Sequence, residues 1–586
     1  MSSQNLQIAV AGGQETATPI LALGSFAELF GAEDVKLLHE GFFCVDDSVR
    51  TGDPSAEAAQ LYRKEGYSFL RKLRGAYALA LWDPKARRLI VATDHFGTHS
   101  LYYWSHNGRI VFGSRLSRLV AEPGVPKSID ENSVHFYLNH SFIPAPATIY
   151  RGIKRLEPGQ CLIWENGKTF IKQYWDMSYP EDARMSEAAA ADVLRASVEE
   201  SIAFLLSGDQ SDRAPGAFLS GGTDSSTVVG LLTRRNGEGV NSFSVGFHET
   251  PYNEIHFARI AAGHFKSQLH ECFVGPKQAL EEIPAIVQAF EEPFGNSSAI
   301  PTYFCVKSAR DAGVKVLFAG DGGDELYGGN ERYLTEKIFS LYQQLPHSMR
   351  KLADFGADLA PAVYPWGKLR NYVRKANLPC AERFFGYQLY YRQHAREFFT
   401  DGFHSRLNLD FPLSLPQERL ERAGEAHWLN RLLYVDLKLA ISDNDLFKVN
   451  RVSAACGVEV RYPYLDKEVA AASGRIPARL KLKGWEKRYI FKKAFSGLLP
   501  KEILKKKKHG FGLPTGEWLR TDSGFRELAR SLLLEPRSMQ RGYFKRTALE
   551  DLLRRHDAES SSYYGSHIWN FMMLEMWHRR HFDHHE

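Results

Sequence analysis

The chain has 586 residues, 44% hydrophobic and 24% charged, which is enough apolar material for large cores and, by length, for about two to four domains. Its 74 Lys and Arg against 69 Asp and Glu give a formal charge of +5, close to neutral over this length, which argues against nucleic-acid and anionic-membrane partners. No stretch reaches the ~18 apolar residues that span a bilayer, no basic-then-apolar leader opens the sequence, and the six cysteines (Cys44, Cys161, Cys272, Cys305, Cys380, Cys456) lack CxxC or zinc spacing, so the expectation is a cytoplasmic protein with reduced, mostly buried thiols.

The N-terminal part reads as β-rich. GAYALALWDPKARRLIVATD is two apolar strands around a polar turn, and LYYWSHNGRIVFGS is a hairpin turning at Asn107-Gly108, the strongest short-range hairpin signal. YRGIKRLEPGQCLIWENGKTFIKQYWD has the same texture. At MSEAAAADVLRASVEESIAFLL the period becomes helical. Strand GAFLS, helix SSTVVGLLTRR stopped by Asn236-Gly237, strand NSFSVGF, helix NEIHFARIAAGHF and a strand near QLHECFV follow. Next come helices near KQALEEIPAIVQAF and IPTYFCVKSARDAG, then strand VKVLFAG. This alternation predicts a parallel sheet with helices on both faces. The stretches from Tyr333 to Leu446 and from Asp522 onward read as mostly helical.

Two strand ends carry the chemistry. AFLSGGTDSSTVVG, Ala217 to Gly230, places Gly221 and Gly222 between a strand and a helix N-terminus, where backbone N–H groups and the helix dipole favour an anion. Ser220, Thr223, Ser225 and Ser226 add hydroxyls, but the lysine of a GxxxxGK[ST] loop is missing. Asp224 repels a phosphate unless a cation lies between them, and Mg²⁺ is the hard, oxygen-seeking ion that fits. The second strand, VKVLFAGDGGDELYGG, runs into Asp321, Gly322, Gly323, Asp324 and Glu325. Ligands of open parallel sheets sit at the carboxyl ends of strands, so the two loops are expected to converge, with Asp224 and Asp324 sharing the Mg²⁺. A helix-capping role is the alternative for either aspartate taken singly.

These residues carry a resemblance. LSGGTDSS matches the SGGxDS loop of the ATP-pyrophosphatases, and SFSVGF, EEPFGNSSAIPTY, GDGGDELYGG, VEVRYPYLD and LLPKEILKKKKHGFGLPTGEWLR resemble, in order, the blocks of the asparagine synthetase family. The resemblance implies a β-rich, N-terminal-nucleophile-type, glutaminase-like domain over residues 1–180. After it, over residues 181–586, it implies an α/β parallel-sheet ATP-pyrophosphatase domain with a helical C-terminal part. It implies ATP and Mg²⁺ as cofactors, with pyrophosphate in the loop Ser220 to Ser226 and Mg²⁺ on Asp224 and Asp324. The backbone of Leu219, Val245 and Gly320 would contact adenosine, and Asp321 would lie near the activated carboxylate. Lys508 would stabilise charge developing on the acyl-adenylate and pyrophosphate. Arg488 stands where the family has a second lysine and becomes a phosphate-binding candidate. For the other lysines of the run Lys505 to Lys508 the expectation is a solvated face. Asn450 in KVNRVS replaces the family's aspartate, removing a charge near the acceptor.

The family begins Met-Cys-Gly-Ile and hydrolyses glutamine with that cysteine. This chain begins Met1-Ser2-Ser3-Gln4, has no cysteine before Cys44, and lacks the HRGPD and NGEIYN blocks. A serine hydroxyl is a much poorer nucleophile than a thiolate. The expectation is a degenerate glutaminase domain and an amide-forming ligase that adenylates a small-molecule or peptide carboxylate. Its nitrogen is ammonia or an amine of the substrate itself, the latter as in β-lactam-forming synthetases and lasso-peptide cyclases. A non-catalytic regulatory paralogue and a nucleotide-modifying pyrophosphatase are the rival classes. The intact loop set opposes the first, and the near-neutral charge opposes the second. A homodimer is compatible with the resemblance.

Overall fold

The computed structural model describes residues 20–22, 29, 34–45, 53–207, 214–237, 239–359, 366–385, 395–506, 512–558 and 562–583. In the N-terminal part, a five-stranded antiparallel sheet runs in the order Lys36–Val45, Leu73–Asp83, Arg88–Thr93, Gln160–Glu165, Lys168–Gln173. The strand Leu73–Asp83 shows why it reads as one apolar run: it is buried on both faces. Ala78, Ala80 and Trp82 pack with Ile110 and Phe112 of a second, smaller sheet, whereas Tyr77, Leu79 and Leu81 pack with Ala58, Tyr62 and Phe69. Both faces must then be apolar, because side chains alternate along a strand. The hairpin expected at Asn107-Gly108 is present and another turns at Asn166-Gly167, with both residues of each turn at positive φ. The β-rich reading passed over helices: Pro54–Glu65, whose first turn is capped by Asp53 with Pro54 at the first position, and Glu131–His140, capped by Asp130.

The second half is built on five parallel strands ordered Gln268–Val274, Asn241–Phe247, Gly216–Phe218, Val316–Phe318, Glu459–Arg461. The chain starts at the centre, winds outward through two strands, then returns to the other side of its first strand. With right-handed crossovers, this reversal puts helices on both faces and opens a crevice between the strand ends at Phe218 and Phe318. The helix Thr223–Asn236 is held down by Val228, Val229 and Leu232, all fully buried, each contributing about 1.5–3 kcal/mol. It ends at Gly237 in the left-handed conformation. The edge strand Glu459–Arg461 was not predicted; at three residues it is too short to show a period. Helices fill 331–359 and 523–558, as expected, and a π-helical stretch, Leu437–Asp445, precedes the helix Leu446–Cys456. None of the described helices is long and apolar enough to cross a membrane.

Buried ion pairs join the two halves. Arg74 pairs with Asp466 at 2.9 Å, Arg155 with Asp443 at 2.9 Å and, within the second half, Arg451 with Glu291 at 2.8 Å. Glu291 in turn accepts from Ser117 of the first half. Breaking one partner of such a pair costs about 3–5 kcal/mol, because the other charge is left buried. The seam is therefore fixed, and so is the position of the N-terminal part over the strand ends.

Candidate nucleotide and acceptor site

The first loop leaves the strand Gly216–Phe218 at Leu219, whose N–H donates to Phe243 O at 2.9 Å and extends the sheet by one residue. Ser220 then turns back: its N–H donates to Ser225 Oγ at 3.2 Å, and the two hydroxyls lie 3.1 Å apart. Gly221 has φ +66°, and a Cβ there would sit 2.3 Å from the Phe257 carbonyl carbon. Only glycine allows the helix Ile255–Phe265 to press against the loop this closely. Thr223 opens the helix, with Asp224 in its first turn.

The second loop meets the first. A Cβ on Gly320 would lie 2.8 Å from Ser225 N and 3.0 Å from Asp224 Cβ. Gly320→Ala should force these backbones apart by enough to misplace any anion held by the first loop, lowering turnover of the chain's substrate by roughly a hundredfold without unfolding the protein. Unchanged kinetics in a correctly folded variant would show that the loop contact does not matter.

Arg488 ties the loops together. Its guanidinium donates to Thr223 Oγ1 at 2.7 Å and grips both oxygens of Asp224, and Nη1 lies 2.9 Å from Asp324 Oδ1. Burial alone would push the arginine pKa down, but Asp224 and then Asp324 override it and hold the charge more firmly than usual. Arg488 itself has φ +57° at the start of the helix Tyr489–Ala494, with its guanidinium 4.0 Å from the Phe491 ring centroid. Two carboxylates spanned by one planar cation are close enough for one small cation to bridge, and a pair of carboxylates completed by phosphate oxygens is a donor set Mg²⁺ takes. No third His, Cys, Asp or Glu joins them in a metal-holding group among the described residues.

The Asp321 carboxyl is pushed up to about 6, first by burial and then by Asp445. Lys448, with 8% of its side chain exposed, pairs with Asp445 at 2.7 Å, donates to Ser298 Oγ at 3.0 Å and pulls Asp321 back down. The motifs did not single out Lys448. Its signal was a lysine inside the apolar run LFKV, on a helix side that turns out to be buried. Asn450 donates to Thr98 O across the seam at 2.7 Å and accepts from Tyr462 OH at 2.6 Å. Asn450, Thr98 and Tyr462 line a cavity of about 1030 Å³ between the halves, with Gly75, His99 and Arg118.

The structure thus brings Ser220, Gly221, Gly222, Thr223, Asp224, Ser225, Ser226, Gly320, Asp321, Asp324 and Arg488 to one crevice, with Leu219 and Val245 in the strands beneath. Lys508 and Ser2 lie outside the described residues. One expectation is overturned: Lys506 is not part of a solvated face. Its ammonium is 7% exposed, pairs with Glu254 at 3.0 Å and donates to Ser220 O at 3.2 Å. Lys505 is exposed as expected. Cys44 is buried in its strand opposite Arg74 and is not presented at a site surface.

A family model described as asparagine synthase matches residues 194–579, and one described as a glutamine amidotransferase domain matches residues 51–175. The chain is 28% identical over 520 residues to asparagine synthetase (glutamine-hydrolyzing) 1 of Bacillus subtilis, covering 88% of this chain and 79% of that one. It is 22% identical over 495 residues to asparagine synthetase (glutamine-hydrolyzing) 3 of the same organism, covering 80% and 73%. It is also 22% identical over 510 residues to amidase chry2 of Gibberella zeae, covering 78% of this chain and 72% of that one.

Proposed function

We propose that this chain, which belongs to the asparagine synthase family and is a carbon–nitrogen ligase, makes an amide in two steps at the crevice between Phe218 and Phe318. In the first, a carboxylate oxygen of the substrate attacks the α-phosphorus of ATP and pyrophosphate leaves. In the second, a nitrogen nucleophile attacks the acyl carbon, AMP leaves, and the nitrogen gives up a proton. The observation that carries this reading is the convergence of the two strand-end loops on Asp224, Asp324 and Arg488. The loop Ser220 to Ser226 holds the β- and γ-phosphates with backbone N–H groups and hydroxyls at a helix N-terminus. Asp224 and Asp324 would hold Mg²⁺, which when bound supplies charge neutralisation for the leaving pyrophosphate. Arg488, already placed between them, turns to the phosphate oxygens when these arrive, as a planar donor suited to them. Lys448 is the cation nearest Asp321 and orients the acceptor carboxylate.

The nitrogen source is ammonia or an amine of the substrate. Support comes from the N-terminal part, where Cys44 and Cys161 are buried inside strands, and burial pushes the Cys161 thiol up to about 12, away from the reactive thiolate. An amine carried by the substrate is the second reading. It is favoured by the neutral Asn450 and by the cavity beside it, which has room for more than ammonia. Glutamine should therefore fail as donor, with no glutamate released, while ammonium or a substrate amine supports AMP release. Because the glutamine-binding blocks are absent as well, Ser2→Cys should not create glutaminase activity. Glutamate formed at the rate of AMP would overturn this part of the reading and direct mutagenesis to Ser2 and Cys44.

A further inference from the structure

We infer that Lys506 is a positioning residue of the nucleotide loop, tying its first residue to the start of the helix Ile255–Phe265; the inference rests on the reading that this loop holds pyrophosphate. Lys506 ends the short helix Lys501–Lys505 with extended backbone. Its ammonium joins three pieces of chain. It donates to the Ser220 carbonyl at 3.2 Å, pairs with Glu254 at 3.0 Å, and lies 4.6 Å from the Phe257 ring centroid. Glu254 precedes the helix Ile255–Phe265, whose first turn presses on Gly221. The lysine thus braces the loop at the Ser220 carbonyl. A lysine suits this role because one ammonium offers three donors that can be shared between a carbonyl and a carboxylate.

The consequence follows from where Ser220 sits. Its peptide is the turn from sheet to loop, and its own N–H and hydroxyl both meet Ser225. Releasing the Ser220 carbonyl lets that turn rotate and loosens the donors aimed at phosphate. That effect weakens nucleotide binding in ground and transition states alike and raises KM.

The test compares Lys506→Met, Lys506→Arg, Glu254→Gln and Lys505→Ala with the wild-type chain. It uses steady-state kinetics in ATP and calorimetric binding of Mg²⁺ with a non-hydrolysable ATP analogue. Lys506→Met should raise the KM for ATP and the analogue Kd by roughly ten- to a hundredfold, the range for losing hydrogen bonds to a charged group. Lys506→Arg should recover most of the loss. Lys505→Ala should match wild type. Glu254→Gln discriminates between roles. A brace loses one of its two holds and binds the analogue more weakly, whereas a lysine that itself grips phosphate is freed and binds it equally or more tightly. Unchanged KM and Kd in Lys506→Met, or unchanged or tighter binding in Glu254→Gln, overturns the inference. If Lys506→Met does not fold, Lys506→Arg and Glu254→Gln decide. Failure of the parent reading would look different: the wild-type chain would release no AMP.

Discussion

Asp224→Asn should abolish formation of AMP and pyrophosphate, lowering turnover by roughly a thousandfold or more, the scale of losing preorganised charge at a phosphoryl-transfer site. The substitution acts twice. It removes one of the two carboxylates available to a cation that arrives with ATP, and it strips Arg488 of the group that grips it at both nitrogens. Arg488 would be left with Asp324 as its remaining acidic partner, so the guanidinium would be drawn toward Asp324 and away from the phosphate loop. The measurement is product analysis with labelled ATP, alongside a thermal melt, since a buried cation deprived of part of its compensation also costs stability. In the wild-type chain the products should be AMP and pyrophosphate, because the loop lacks the lysine that serves β/γ-phosphate cleavage in GxxxxGK[ST] loops. ADP and phosphate from the wild-type chain would sink the mechanism. Full activity in a folded Asp224→Asn protein would mean the loop has been misread.

Lys508→Ala should cost roughly two to four orders of magnitude in kcat, by analogy with removing one preorganised donor at a developing charge. The KM for ATP should change little, because a cation aimed at charge that develops only during the reaction contributes little in the ground state. This pattern is the mirror of the one expected at Lys506, where the loss begins in nucleotide binding. Neighbouring lysines in one run of four should thereby be separable by kinetics: a KM effect at Lys506, a kcat effect at Lys508, and none at Lys505, which is exposed. An equal loss of kcat from Lys505→Ala would show that the run acts as a diffuse positive patch and would remove the case for Lys508.

Much of this protein was legible in its residues. Helical and strand periods placed the elements from Glu187 to Phe318 to within a few residues, because amphipathic periodicity is a local property of sequence. The two Gly/Asp loops were legible because glycine at a strand end, next to acidic residues, has few structural uses. That they converge followed from the alternation of strand and helix, since a parallel sheet presents all its strand ends on one edge. Three things were decided only by tertiary structure. The strand Glu459–Arg461 exists because Val316–Phe318 offers it a free edge, not because three residues prefer to be extended. The role of Arg488 depends on a left-handed residue that swings a side chain 264 positions away in sequence onto Asp224. The environment of Lys506 is the third case: in sequence it is one of four identical charges, and composition makes such a run a solvated face. Only the packing of the helix Ile255–Phe265 against Gly221 brings Glu254 and the Ser220 carbonyl to one of the four and leaves Lys505 in water. A charge has no periodicity of its own. Whether it is solvated or paired is set by what the fold places within about 4 Å of it, where the Coulomb and hydrogen-bond terms outweigh hydration.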